Sequence, residues 1–244
     1  MQMSKILLKN EFDYIKSMGW IKSLRKGSTG VGYTFEQLLD LQENSLSLPD
    51  FCNIEIKTHR SFSKSFICLF NYDPQGNDSY EIKHIYDNYA YPSLRNKGIR
   101  VLNTSLYCNQ MKRVGNNFFC LRIDKEEKKL YLFIFDNNGT LLEKNAFWDF
   151  HILEKKLYDK LEYLAYVTAD SKFVEGSEFF RYNQIEFYKL RSFDAFLYLL
   201  EKQKIRISFK VGGNTNLDFP WQIDNHGTSF SIKSTNLKLL FFSF

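Results

Sequence analysis

Three charged residues lie close together in the segment SLPDFCNIEIKTHR, residues 47–60: Asp50, Glu55 and Lys57. Hydrolysis of a phosphodiester requires a divalent cation held by hard oxygen ligands, an activated water and positive charge near the scissile phosphate. The carboxylates of Asp50 and Glu55 are suitable ligands for Mg²⁺, with the Ile56 carbonyl as a further ligand. Lys57 supplies a positive charge that contacts the phosphate or orients the water. The segment therefore raises the hypothesis of metal-dependent phosphodiester hydrolysis.

The same residues also fit an ordinary strand whose charged side chains face water. In an extended chain Ile54 and Ile56 point to one face, and Glu55 and Lys57 point to the other. Asp50 precedes this strand, and a bend after the neighbouring proline would bring it to the charged face. An Asp…Glu-x-Lys pattern at variable spacing arises by chance in roughly half of chains of this length. The spacing alone leaves both interpretations open.

The elements around this segment are a mixture of helices and strands. Hydrophobic periodicity predicts helices at 4–18, 35–42, 151–162 and 192–203, and strands at 53–58, 64–70, 118–124, 130–136, 205–213 and 226–233. The first helix has an imperfect apolar face that includes Leu7. The strands in the middle of the chain are predicted to form a β-meander. Because strands and helices do not alternate regularly, we expect a mixed α/β or α+β fold.

A glycine-rich stretch, GSTGVGYT at 27–34, lies between the first two predicted helices. It is predicted to be a loop, and it matches neither GxxxxGK[ST] nor GxGxxG, so nucleotide binding is not expected. Thr34 stands three residues before Gln37, which predicts a capping box that opens the second helix.

Composition limits the class of protein. The chain has 244 residues, of which 44% are apolar and 25% are charged, as in soluble globular proteins. A net charge of +5 suits an anionic partner such as DNA. The four cysteines form no CxxC pair, so a zinc site is not expected. The same cysteine usage predicts a reducing, cytoplasmic compartment. No signal peptide or membrane span is predicted, and we expect no membrane partner.

Several blocks, taken in order, resemble the MvaI/BcnI family of restriction endonucleases. RKGSTGVGYTFEQLL (25–39), LPDFCNIEIKTHR (48–60) and KSFICLF (64–70) are similar to its N-terminal half, and FKVGG (209–213) and DNHGTSFSI (224–232) to its C-terminal DNA-reading region. The resemblance implies a PD-(D/E)xK nuclease core related to MutH, with two lobes around a DNA cleft. It implies one restriction-endonuclease unit over 1–244, with a catalytic lobe at about 1–120 plus part of the middle and a recognition lobe at about 165–244.

The resemblance also assigns the catalytic residues by position. Asp50 and Glu55 match the metal-binding carboxylates, Lys57 matches the catalytic lysine, and Glu36 matches an acidic residue close to the metal site. The implied activity is Mg²⁺-dependent cleavage of short double-stranded DNA sites by a monomer that cuts one strand at a time.

Base reading is predicted for the segment from residue 210 to residue 231. The predicted DNA-binding residues are Lys210, Asp224, Asn225, His226 and Thr228. Lys210 is suited to donate to guanine, Asp224 to accept from the cytosine amino group, and His226 to do either. A surface hairpin that meets only water is the alternative.

This segment also departs from the family. Lys210 stands where family members carry arginine, Asp224 where they carry histidine, and Ser231 where they carry arginine. Since arginine is the usual partner of guanine, the family's CC-N-GG type of target cannot be transferred to this chain.

The predicted function is that of a type II restriction endonuclease, with a cognate DNA methyltransferase as its functional partner. One alternative is a MutH-like repair nickase that depends on partner proteins. Others are a DNA-binding protein that does not cleave, which the intact Asp50, Glu55 and Lys57 argue against, and a basic protein without a nucleic-acid role.

Overall fold

The computed structural model describes residues 1–41, 49–76, 81–95, 97–213 and 223–244. The chain divides into two compact units. Unit 1 contains residues 1–67, 156–192 and 234–244, and unit 2 contains residues 68–155 and 193–233. Unit 1 is therefore assembled from three separate stretches of sequence. Residues 165–192, which the sequence analysis assigns to the recognition lobe, pack in unit 1, and the assignment of a function to each lobe stays a prediction.

The described residues form six α-helices, one 3₁₀ turn and sixteen strands. The helices are α1 Gln2–Ser17, α2 Gly30–Leu38, α3 Glu81–Tyr89, α4 Phe150–Leu161, α5 Phe193–Glu201 and α6 Leu237–Leu240, with the 3₁₀ turn at Ser234–Asn236. The strands are β1 Ile21–Lys22, β2 Glu55–Arg60, β3 Phe66–Asn71, β4 Tyr91–Pro92, β5 Arg100–Leu106, β6 Lys112–Val114, β7 Asn117–Asp124, β8 Lys129–Phe135, β9 Leu141–Glu143, β10 Phe147–Asp149, β11 Tyr163–Val174, β12 Ser177–Leu190, β13 Ile205–Gly213, β14 Ile223–Asn225, β15 Ser229–Lys233 and β16 Phe241–Ser243. The expected mixture of helices and strands is confirmed. None of the described helices is long and apolar enough to cross a membrane.

The sheet of unit 1 holds the strand that carries the Glu-x-Lys pair. Its strand order is β1-β12-β11-β2, and β16 also pairs with β12. Strands β11 and β12 form a long antiparallel hairpin, and β2 runs parallel to β11 with Glu55 opposite Leu164. Helices α1 and α2 pack on this sheet. Strand β2 is thus held between a long hairpin and a helix.

Helix α1 packs on this sheet through one face. Leu8, Phe12 and Ile15 follow a spacing of four and three residues, and all three are buried. Leu7, which the sequence analysis assigns to the same face, is 47% exposed, because it precedes Leu8 by only one residue and points about 100° away around the helix. The predicted helix is confirmed, and its buried face consists of Leu8, Phe12 and Ile15.

The start of α2 differs from the prediction. The helix begins at Gly30 and ends at Leu38, so the second half of the predicted glycine loop is helical and the capping box is wrong. Thr34 lies inside the helix, where its hydroxyl accepts a hydrogen bond from the Leu24 N–H at 3.0 Å. A β-carbon on Gly30 would lie 2.4 Å from the Arg25 carbonyl oxygen, so this close approach requires glycine.

Unit 2 contains the predicted meander and a second sheet of six strands. The meander has the order β10-β8-β7-β6, with β9 on β8, and its central strands confirm the predictions at 118–124 and 130–136. The second sheet has the order β3-β15-β13-β5-β4, with β14 on β13. Aromatic side chains fill its core, where Phe230 stacks on Phe70 and meets Trp148 edge-on. This core supports the strands that carry the predicted base-reading residues.

Candidate active site and DNA-reading segment

A tight turn connects Asp50 to strand β2. Phe51 and Ile54 exchange two backbone hydrogen bonds, of 3.0 and 2.8 Å. The two residues between them, Cys52 and Asn53, have φ angles of 43° and 68°. Two consecutive residues with positive φ form the tight hairpin turn whose twist matches that of paired strands. The predicted bend therefore exists, and it lies after Phe51 rather than directly after the proline.

The turn brings the Asp50 carboxylate back to β2. Its Oδ2 accepts a hydrogen bond from the Ile56 N–H at 2.9 Å, and the residue is half-buried. The Ile56 side chain points the other way, into the core that contains Ile54. The Asp50 side chain is therefore fixed by the backbone of the strand that also carries Glu55.

Glu55 is buried, with an exposure of 1%. The interpretation in which this residue faces water is therefore wrong. The Lys57 ammonium contacts Oε1, and the Lys160 Nζ lies 3.3 Å from the same oxygen. Burial raises the pKa of Glu55, and the nearby Asp50 raises it further, while the two lysines lower it.

The second oxygen of Glu55 identifies a place for a cation. Oε2 is buried and has no hydrogen-bond partner among the described residues. A buried carboxylate oxygen without a partner is costly, and a bound divalent cation would satisfy it. Together with the Asp50 carboxylate, which the turn holds against the same strand, the donor set is made of hard oxygens and fits Mg²⁺ or a similar ion.

Lys160 is the residue of this cluster that sequence reasoning missed. It lies in the last turn of α4, 105 positions after Glu55, and its side chain is 21% exposed. No local pattern connects the two residues, and α4 lies in the part of the chain where the resemblance is weakest. Only the fold brings Lys160 to the Glu-x-Lys pair.

Glu36 lies on α2, beside β2. A β-carbon on Gly32, one turn earlier, would lie 3.0 Å from Thr58 Oγ1 and 3.6 Å from a Glu36 carboxylate oxygen. Along a strand, Thr58 alternates with Glu55 and Lys57, so Glu36 is near the helix-covered face of β2. The predicted role of Glu36 at the metal stays a prediction.

His59 shares the face of Glu55 and Lys57 on β2. It is 7% exposed, and its Nε2 lies 2.8 Å from Ser65 Oγ. Burial lowers the pKa of this imidazole, so His59 is neutral at pH 7. The burial of His59 gives no evidence of a catalytic role.

A basic cavity of about 690 Å³ lies in unit 1, between β1, the loop before α2 and the tip of the β11–β12 hairpin. Four cations line it, Lys22, Arg25, Lys26 and Arg60, with Glu178 as the counter-charge. Glu178 holds Arg60 through two hydrogen bonds of 2.8 Å. The excess of positive charge is suited to an anion such as a phosphate of the DNA backbone.

The predicted reading residues of unit 2 fall into two groups. Lys210, Asp224 and His226 are exposed. The His226 N–H donates to the Lys210 carbonyl at 3.1 Å, and the His226 Nε2 lies 3.3 Å from the Asp224 carboxylate. These three residues are thus neighbours in the chain fold and all three are exposed, as base contacts require. Residues 214–222 of the predicted reading loop lie outside the described residues.

Asn225 and Thr228 make hydrogen bonds to another residue of unit 2. The Thr228 N–H and hydroxyl donate to Asp73 Oδ1 at 2.7 and 2.8 Å, and the Asn225 amide donates to Asp73 Oδ2 at 2.6 Å. Thr228 is fully buried. The structure therefore places Thr228 where it holds the turn rather than where it would touch a base. Ser231 is buried as well, at 4% exposure.

A second group of ligand-type side chains lies in unit 2. Glu81, His84 and Glu143 offer one ligand atom each, all within 4.8 Å of one another. The His84 Nε2 already lies 3.0 Å from Glu143 Oε2, which accounts for two of the three groups. Sequence reasoning did not single out these residues.

A carboxylate before a turn, followed by Glu-x-Lys on a strand of a mixed α/β sheet, defines the class of PD-(D/E)xK nucleases. The model of the MvaI/BcnI restriction endonuclease family matches residues 9–241, and the chain belongs to this family. The expected resemblance and fold class are confirmed, and the protein is a site-specific deoxyribonuclease of the restriction endonuclease type.

Two solved structures are similar over the whole chain. The restriction endonuclease MvaI in complex with its cognate DNA substrate is 27% identical, with a TM-score of 0.87 over 98% of this chain and 96% of that one. MvaI in the absence of DNA is 26% identical, with a TM-score of 0.64 over 100% of this chain and 98% of that one. No curated protein matches the chain.

Proposed function

We propose that the protein is a type II restriction endonuclease that hydrolyses phosphodiester bonds of double-stranded DNA at a short specific sequence and depends on Mg²⁺. The metal dependence rests on the buried Glu55 carboxylate, whose Oε2 has no hydrogen-bond partner among the described residues. The Asp50 carboxylate is held close by, because it accepts a hydrogen bond from the N–H of Ile56, the next residue of the same strand. The similarity to MvaI bound to its cognate DNA supports DNA as the substrate.

Asp50, Glu55 and the Ile56 carbonyl would hold the ion. A bound Mg²⁺ supplies a Lewis acid for the phosphate and lowers the pKa of a bound water. The Lys57 ammonium contacts the Glu55 carboxylate. From there its ammonium reaches the phosphate or orients the attacking water. The basic cavity of unit 1 adds sequence-independent contacts to the DNA backbone.

Substitution of the carboxylates tests the metal site. Asp50→Ala and Glu55→Ala should lower cleavage of unmethylated plasmid by at least about 1,000-fold, because each removes a ligand of the main charge in the site. Binding to the specific site, measured with Ca²⁺ in place of Mg²⁺, should persist. Glu11→Ala, which removes an exposed carboxylate from α1, is the matched control. Normal cleavage by both Asp50→Ala and Glu55→Ala would show that the active site lies elsewhere.

Base reading is assigned to Lys210, Asp224 and His226, whereas Asn225 and Thr228 hold the turn that carries two of these. Loss of one base contact costs about 1–3 kcal/mol at its own base pair, while loss of a phosphate contact weakens all sequences alike. Alanine substitution of each reader should therefore change the preferred site in a randomised-site library. A uniform decrease in rate with unchanged preference in all three variants would place recognition elsewhere.

We further propose that the protein acts as a monomer. One active site must cut two strands in succession, so supercoiled plasmid should pass through a nicked form before it becomes linear. A time course of plasmid forms and sedimentation on specific DNA measure this. A stable dimer on DNA together with no nicked intermediate would refute the proposal.

The functional partner is a DNA methyltransferase that modifies the same site, and the protein acts in the cytoplasm, where the unmodified target DNA is found. A MutH-like nickase is the competing function. Cleavage of both strands by the purified protein alone supports the restriction enzyme. Activity that requires a repair partner or hemimethylated DNA would favour the nickase.

A further inference from the structure

Two lysines share one carboxylate oxygen in the candidate active site. Lys57 reaches Glu55 Oε1 from the same strand, and Lys160 reaches it from the last turn of α4. A carboxylate oxygen accepts two N–H donors, so these ammonium groups complete Oε1 and leave Oε2 for a cation. The two Glu55 oxygens therefore have different partners.

Lys160 is placed to stay on Glu55 throughout the reaction. Its side chain is only 21% exposed, and among the described residues Glu55 is its ion-pair partner. The C-terminal turn of a helix also favours a cation, because the helix dipole is negative there. In the proposed mechanism the Lys57 ammonium also contacts the phosphate or the water, so its contact with Oε1 is the one that the reaction disturbs.

The charges of the cluster also point to a role for the second lysine. Asp50 and Glu55, when ionised, are balanced by Lys57 and Lys160, so the cluster has no net charge. Without Lys160 the cluster would be negative, which would attract a divalent cation more strongly and repel the negatively charged phosphate.

We propose that Lys160 is a positioning residue of the nuclease site. It holds Glu55 Oε1 when Lys57 moves to the scissile phosphate, keeps Oε2 directed at the cation, and offsets the carboxylate charge that would oppose the phosphate. This inference rests on the proposed Mg²⁺-dependent cleavage by Asp50, Glu55 and Lys57.

The test compares Lys160→Met, which keeps the length of the side chain and removes its charge, with Lys155→Met on the exposed side of the same helix. Single-turnover cleavage at saturating Mg²⁺ should fall at least about tenfold in Lys160→Met and stay unchanged in Lys155→Met. Lys160→Arg should recover most of the rate, since it restores a cation.

Metal binding supplies the readout that a merely structural role would not produce. Calorimetric titration with Mn²⁺, without DNA and at one pH for all variants, should show affinity that is raised about threefold or more in Lys160→Met. Damage to the site would instead lower both metal affinity and cleavage. The signature of the proposal is tighter metal binding together with slower cleavage.

Two results would overturn the inference. One is wild-type cleavage by Lys160→Met. The other is parallel loss of metal binding and cleavage in a folded variant. If Lys160→Met does not fold, the comparison of Lys160→Arg with Lys160→Gln decides by the same two measurements. Failure of the proposed function itself is distinguishable, because Asp50→Ala and Glu55→Ala would then also cleave normally.

Discussion

Replacement of Glu55 by glutamine is expected to make the protein more stable and catalytically inactive. The carboxylate is 1% exposed, and burial raises its pKa although two lysines lie on the same oxygen. The ionised form is therefore less favourable in the folded chain than in the unfolded chain. Glutamine keeps the shape and an oxygen for the lysines, and it removes the buried charge and the proposed metal ligand.

The size of the gain follows from the degree of burial. Removal of a destabilising functional group commonly adds about 0.5–2 kcal/mol to the free energy of unfolding. Glu55 belongs near the upper end, because its Oε2 also lacks a hydrogen-bond partner among the described residues. In a protein of this size, 1 kcal/mol changes Tm by about 2–4 °C, so an increase of about 3–6 °C is expected.

The dependence on pH identifies the cause. The folded-state pKa of Glu55 lies above its ordinary value of 4.5, so the protonated carboxyl is favoured in the folded chain. The stability that this form contributes is complete below pH 4.5 and is lost as pH rises through the folded-state pKa. The advantage of Glu55→Gln over the wild type should therefore increase as pH rises above about 4.5 and shrink toward that pH.

Denaturant unfolding between about pH 5 and pH 8, with and without Mg²⁺, measures both effects. Added Mg²⁺ should stabilise the wild type, by about 2.7 kcal/mol at 100 times its dissociation constant, and leave Glu55→Gln unchanged. A variant that is less stable than the wild type at the high end of this range would refute the reasoning. It would show that the ion pairs with the two lysines outweigh the cost of burial.

Three further predictions concern other parts of the two units. Burial lowers the pKa of His59 from 6.5, so wild-type stability should decrease as pH falls below about 6.5, and His59→Gln should remove this part of the pH dependence of unfolding. Gly30→Ala should lower the free energy of unfolding by about 2 kcal/mol or more, and with it the midpoint of thermal unfolding, because the added β-carbon would lie 2.4 Å from the Arg25 carbonyl oxygen; an unchanged midpoint would contradict the close approach at the start of α2. Asp73→Ala should relax site preference in a randomised library, since Asp73 accepts both donors of the buried Thr228, and unchanged preference would show that this turn does not support reading.

The local part of the site could be predicted from the sequence. Alternation in a short window indicates a strand, and it placed Ile54 and Ile56 in the core with Glu55 and Lys57 opposite. The turn that returns Asp50 could be expected but not located, because Cys52, unlike Asn53, is not a usual residue of a turn with two positive φ angles.

The burial of Glu55 and the arrival of Lys160 could not be predicted. A strand pattern shows which face a residue is on, and not what covers that face. Lys160 comes from a helix 105 positions away in sequence. Strands β11 and β12 follow this helix, β11 pairs with β2, and neither strand was predicted. Those strands carry apolar and polar residues on both faces, so their periodicity is weak.

The beginning of α2 shows how tertiary contacts override local signals. Glycines at 27, 30 and 32 indicate a loop, since glycine disfavours helices. In the structure the helix needs two of them, because Gly30 meets the Arg25 carbonyl and Gly32 meets Thr58 on β2. Close packing of the helix against its neighbours decided the conformation.

The division of unit 1 into separate stretches of sequence has a consequence for the synthesis of the protein. Asp50, Glu55 and Lys57 leave the ribosome early, but β2 pairs with β11, which starts at residue 163, after the greater part of unit 2 has been translated. Until then the strand has no partner in its sheet and Glu55 has no contact with Lys160. Fragments released by premature termination within residues 68–155 would carry Asp50, Glu55 and Lys57 without β11 and Lys160, so the proposed nuclease site would not be assembled in them.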